Sequence, residues 1–128
     1  MIITALVLAT LAALLHVYIF FMESLWWTTD KVRATFGSTP EDAEATKEMA
    51  FNQGFYNLFL AIATLAGVVF HMAREATIGS TLIFTGTGSM LLAALVLIIS
   101  SPSKASAAIK QGVFPLLTVI ALIIGVAL

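Results

Sequence analysis

The chain has 128 residues, of which 60% are hydrophobic and only 10% charged, and its formal net charge is −1. Soluble domains carry about 25% charged residues, so composition alone points to a lipid environment. Near-neutrality leaves no basic face for nucleic acid. The absence of cysteine removes disulfides, thiolate metal sites and cysteine nucleophiles.

An uncharged apolar stretch of about 18 residues or more reads as a membrane-spanning helix. Four occur, over residues 1–22, 49–72, 76–103 and 111–128. The first does not read as a cleaved signal peptide: no Lys or Arg precedes it, and it ends at Trp26 and Trp27 rather than at small residues. With their polar ends included, the predicted spans are about 2–27, 44–71, 76–100 and 105–127, in one integral membrane domain over 1–128. The fold class this implies is all-α, a transmembrane four-helix bundle. No internal repeat is visible, which argues against a two-fold transporter built within one chain.

The first connection, "TTDKVRATFGSTPEDAEATKEMA", is punctuated by Gly37 and Pro40. Thr39 followed by Pro40, Glu41 and Asp42 has the form of an N-cap, a first-turn proline and acids favoured by the helix dipole. The second long helix is therefore expected to start in water near Pro40. Pro102 should end the third, with Ser101 or Ser103 capping the fourth, and Gly112 and Pro115 invite a bend early in that last helix.

Lys31, Arg33 and Lys47 flank the first connection and Lys104 and Lys110 the third, whereas the second has only Arg74. Lys and Arg near span ends stay on the cytoplasmic side. Five cations against one put the first and third connections inside and both termini outside. The reading is a multi-pass protein of the cell membrane, with Trp26 and Trp27 in its cytoplasmic aromatic belt.

Lipid is as apolar as leucine, so small residues that let backbones approach must hold such helices together. Thr81, Thr85, Ser89 and Ala93 recur every four residues in the third span, and Ala63 and Gly67 lie in the second. The glycines of "GTGSM" are read as part of that packing rather than as a phosphate loop, which would follow a strand.

The polar residues inside the spans are the most informative feature. At 1.5 Å per residue, Glu23 lies roughly 6 Å and His16 roughly 16 Å from the level of Trp27. Counted from Lys47 on the antiparallel second span, Asn52 and Gln53 lie roughly 8–9 Å in and Asn57 roughly 15 Å in. A cluster of His16, Tyr18, Glu23, Asn52, Gln53, Tyr56, Asn57, Lys110 and Gln111 is therefore expected in the cytoplasmic half. Each member has a plainer reading beside the functional one. Asn and Gln serve as interhelical hydrogen-bond glue, Lys110 can snorkel to the interface, and Glu23 can pair with Lys110. A histidine near the midplane is costly and is a functional candidate by default.

Metal and haem chemistry find no support in these residues. His16 and His71 differ by roughly 20 Å in depth, too far to share one iron. One His and one Glu make a poor metal site, and a serine triad has no second base within reach. No metal and no cofactor is implied.

"LLHVYIFFMESLWW", "ATFG" and "AFNQGFYNLFLAI" together resemble the signature of the domain of unknown function 1304 family, small bacterial four-span membrane proteins. The resemblance places His16, Tyr18, Glu23, Trp26, Asn52, Gln53, Gly54, Tyr56 and Asn57 at the family's motif positions. It implies no activity.

Three readings of function stand. The first is a transporter or binder of a small lipophilic or cationic ligand, using a cytoplasm-facing intramembrane polar pocket. A carboxylate in the first of four short spans is also the plan of small multidrug resistance transporters, an analogy of architecture only, and a homo-oligomer would be needed to enclose a pathway. The second is an intramembrane enzyme on a lipid-like or quinone-like substrate, with His16 and Glu23 as base and acid. The third is a non-catalytic protein whose polar cluster fixes helix register. The first is preferred because a cavity open to the cytoplasm explains polar residues graded from interface to midplane, and no nucleophile is evident. The partners implied are the lipid bilayer, a lipophilic small molecule and a second copy of the chain.

Overall fold

A computed structural model describes residues 1–128. Helix α1 (Ile2–Phe20) runs on into a π-helical turn (Phe21–Leu25), followed by a short α2 (Asp30–Phe36) and a long α3 (Pro40–Met72). Helix α4 (Ala76–Ser100), a 3₁₀ turn (Pro102–Lys104) and α5 (Ala105–Ala127) complete an all-α chain. Four segments are long and apolar enough to cross a membrane: Ile2–Leu25, Pro40–Met72, Ala76–Ser100 and Pro102–Ala127, with mean hydropathies between 1.7 and 2.3. Helices α1 and α4 sit on opposite corners of a square and each packs against both α3 and α5.

Small residues set the spacing. Ala5, Ala9, Ala12 and Ala13 form the buried stripe of α1. On α3, Gly67 faces the backbone of α4, where an added Cβ would lie 2.8 Å from the Gly79 carbonyl oxygen and 2.9 Å from the Ile83 nitrogen. Gly86 admits the side chain of Thr64, and Gly112 admits the Cβ of Ala94. The buried hydroxyls of Thr64, Thr87 and Thr118 donate to carbonyls four residues earlier at 2.7–2.8 Å, so none is left unsatisfied. At the end holding both termini, Ala5, Ala9, Ile83, Ala121 and Leu122 close the core.

The small-residue stripe expected on α4 faces the other way. Thr81, Thr85 and Ala93 are exposed and Ser89 half-buried, while Gly79, Ile83, Gly86, Thr87, Met90 and Ala94 form the buried face. Thr81, Thr85 and Ser89 instead return their hydroxyls to their own helix at 2.7–2.8 Å. A helix apolar on every side gives no signal as to which face packs.

The caps divide similarly. Thr39 accepts from the Asp42 amide at 3.1 Å and α3 begins at Pro40, as the sequence predicts. No serine caps α5: Pro102 starts a 3₁₀ turn, and the helix follows Lys104 without a side-chain cap. Pro115 is buried inside α5 and has no N–H to give the Gln111 carbonyl.

The connection after α1 folds into a cover that its sequence does not advertise. Thr29 caps α2 through the Val32 amide at 3.4 Å, Arg33 pairs with Asp30, and Gly37 ends the helix at φ 68°. Val32 is buried against Ile19 and Met22, with Leu15, Trp27 and Phe36 around them. The Trp27 indole N–H donates to Thr46 Oγ1 at 3.1 Å, which fixes the register of α1 against α3 at this end.

Candidate functional site

The site grows from the π-helical turn. The Trp26 amide donates to the Phe21 carbonyl at 2.9 Å, a five-residue closure rather than four. Such one-turn bulges rotate the residues that follow and often mark functional positions. Glu23 lies inside this turn and is buried. Ser24 Oγ donates to the Phe51 carbonyl at 2.7 Å. Gly54 sits opposite, where a Cβ would meet Ser24 Oγ and approach the backbone at 3.0–3.1 Å. The close contact of α1 with α3 brings the Glu23 carboxylate to Asn57, whose Nδ2 donates to Oε2 at 3.4 Å and to the Gln53 carbonyl at 3.2 Å.

Two cavities open on either side of Glu23. The larger, about 490 Å³, lies between the end of α1, α2 and the start of α5. Leu15, Ile19 and Met22 form its apolar wall, and Tyr18, Thr35, Ser106, Gln111, Lys104 and Lys110 its polar one. The smaller, about 340 Å³, lies between the α1–α2 connection and α3. Three carboxylates, Glu23, Glu44 and Glu48, line it against one lysine, Lys47, together with Trp27, Phe51 and Leu25. Lys47 lies 4.0 Å from Glu44. Of the residues common to both linings, Glu23 alone is found.

The expected polar cluster divides. Glu23, Tyr18, Lys110 and Gln111 share the larger cavity, and Asn57 holds Glu23 from behind. Tyr18 is partly outward and packs edge-on to Trp26, ring centroids 6.5 Å apart. Lys110 borders the same cavity as Glu23, but the chain's ion pairs are Arg33–Asp30 and Lys47–Glu44, so the two do not pair. Asn52, Gln53 and Tyr56 point away from the bundle, Tyr56 with 70% of its surface exposed.

His16 is buried in the core of the bundle and borders neither cavity. Its Nδ1 lies 2.8 Å from the Ala12 carbonyl. A carbonyl can only accept, so Nδ1 carries the proton and Nε2 is the ring's free nitrogen.

Depth counted along the axes pairs Asn57 with His16; the structure pairs it with Glu23. Side chains tilt toward the N-terminus of their own helix. In antiparallel α1 and α3 this tilts Glu23 deeper and Asn57 shallower until they meet, while His16 tilts away toward Ala12. The acidic cavity was not anticipated either. Glu44 and Glu48, one turn apart, carry that signal.

No group of three His, Asp or Glu side chains converges on one point. The chemistry available is that of a single buried carboxylate between an acidic and an amphipathic cavity. Fold and site together define a multi-pass helical membrane protein with a buried carboxylate between two cavities at one end of the bundle. Over residues 10–123 the chain matches the family described as "Protein of unknown function (DUF1304)", and it belongs to that family. No curated protein and no solved structure matches it.

Proposed function

We propose that the protein binds and transports a small lipophilic cation, with Glu23 as the binding carboxylate and the cytoplasmic side as its point of access. The observation that carries this reading is the position of Glu23: a buried carboxylate that borders both cavities. The smaller cavity supplies an acidic and aromatic approach, in which Glu44 and Glu48 raise the local concentration of cations and Trp27 and Phe51 offer ring faces to them. The apolar wall of Leu15, Ile19 and Met22 suits the hydrophobic part of such a ligand. Asn57 positions the carboxylate by its hydrogen bond and leaves the other oxygen for the ligand.

The test uses tetraphenylphosphonium as probe, with the protein in lipid nanodiscs for binding and in liposomes for uptake. Saturable binding should fall about 30-fold or more in Glu23→Gln, because truncating one member of a desolvated charge pair costs 2–5 kcal/mol. The substitution is isosteric and keeps an oxygen for Asn57, so folding is preserved. Glu44→Gln with Glu48→Gln should weaken binding only a few-fold and abolish most of its salt dependence, as exposed charges do. Equal binding by the native chain and Glu23→Gln would overturn the reading.

A further inference from the structure

One amide that the site does not use, that of Asn52, lies on the side of α3 turned away from the bundle. Met49, Asn52, Tyr56, Phe59, Ala63 and Ala66 follow one another at alternating steps of three and four, the spacing of a coiled-coil seam. Its first four residues are exposed, Met49 at 72%, Tyr56 at 70% and Phe59 at 57%, and Ala63 and Ala66 are half-buried. The face turned into the bundle is a different one, carried by Ala50, Gly54, Ala61, Thr64 and Gly67.

The position of these residues in the bilayer makes that exposure costly. From Thr46, which receives the Trp27 indole, Asn52 lies about 9 Å and Tyr56 about 15 Å along the helix axis. Asn57 places its amide on Glu23 and on the Gln53 carbonyl, whereas the exposed side chain of Asn52 has no such partner. Acyl chains have no hydrogen-bonding groups, and an unsatisfied polar group in hydrocarbon costs several kcal/mol.

We infer that the stripe is the interface with a second copy of this chain, α3 packed parallel on α3 about a two-fold axis along the membrane normal. A carboxamide is both donor and acceptor, so it is self-complementary across such an axis, where residue i meets the same residue of its partner. An Asn at a seam position is a device that fixes register and selects two strands. The charge bias, which inserts every copy the same way, makes the parallel arrangement the accessible one. Ala63 and Ala66 allow the close approach that membrane helix pairs use. This inference rests on the outer face of α3 and not on the ligand site.

The chain has no cysteine, so single cysteines report without background. In native membranes, Met49→Cys and Phe59→Cys should give covalent dimers on mild oxidation, and neither substitution removes an amide. Leu92→Cys is the control: it lies on α4, 64% exposed, about 12 Å along the axis from Ser100. It should stay monomeric. Asn52→Leu should weaken dimerisation about tenfold in a fluorescence-transfer dilution series in liposomes, the effect of one or two membrane hydrogen bonds. Cross-linking of Leu92→Cys equal to that of Phe59→Cys, or an unchanged dissociation constant in Asn52→Leu, would overturn the interface. Should Asn52→Leu fail to fold, the contrast between positions 49, 59 and 92 decides alone.

Discussion

A single methyl group measures how closely these helices approach. Gly67 faces the backbone of α4, and a Cβ there would lie 2.8 Å from the Gly79 carbonyl oxygen. Backbone cannot swing aside as a side chain can. At Gly88, on the same pair of spans, a Cβ would meet nothing within 4 Å. Gly67→Ala is therefore expected to destabilise by about 1–3 kcal/mol through overpacking. Gly88→Ala should be neutral or stabilise by up to about 1 kcal/mol, the helix preference of Ala over Gly. Unfolding in mixed micelles checks the pair, and equal shifts would show that backbone approach does not hold α3 to α4. The same scale explains what was legible at the site. Glu23, Tyr18, Lys110 and Gln111 were legible because depth along a helix follows from counting. Which amide reaches Glu23 was not, because that depends on the tilt of each Cβ and on a π-helical turn that no residue of "FMESL" announces.

At the scale of elements, the turns carry strain that can be located. Two residues adopt the left-handed region, Gly37 at φ 68° and Arg74 at φ 69°. Gly37 ends α2 with the Ser38 amide donating to the Arg33 carbonyl at 3.0 Å, and Arg74 ends α3 with the Glu75 amide donating to the Phe70 carbonyl at 2.9 Å. The two ends share one geometry, yet only the first has the residue suited to it. Arg74→Gly should raise stability by about 1 kcal/mol, and Gly37→Ala should lower it by a similar amount. Nothing lies within 4 Å of a Cβ at Gly37, so that cost is backbone alone. Thermal melts of both variants beside the native chain test the opposite signs; two shifts in one direction would refute the account. The four spans and the Thr39 cap were readable from apolar runs and capping chemistry. Helix α2 was not, because seven residues without an apolar run look like loop until Val32 finds Ile19 and Met22. The buried face of α4 was not readable either, since lipid and protein interior select the same side chains.

For the whole molecule the decisive asymmetry is charge. Lys31, Arg33, Lys47, Lys104 and Lys110 gather at the end of the bundle that holds Trp26, Trp27 and both cavities, and only Arg74 stands at the other end. Translocating five cations rather than one is the costlier insertion, so the Trp end is expected to stay in the cytoplasm and both termini to lie outside. Because the chain lacks cysteine, the topology can be read with single substitutions and a membrane-impermeant maleimide. Ala73→Cys, in the α3–α4 turn, should be labelled on intact cells; Ser103→Cys, in the 3₁₀ turn before α5, should be labelled only after permeabilisation. Labelling of both positions on intact cells would mean mixed insertion, and with it copies that meet antiparallel. The Asn52 amides would then lie at opposite depths in oppositely inserted copies, and only copies of like orientation could form the parallel α3 seam. Labelling of Ser103→Cys alone would turn the acidic cavity outward and make Glu23 a receptor for cations from outside the cell. Orientation, ligand access and the two-fold seam are thus tied to one distribution of six cations, and removing Lys104 and Lys110 together should loosen all three at once.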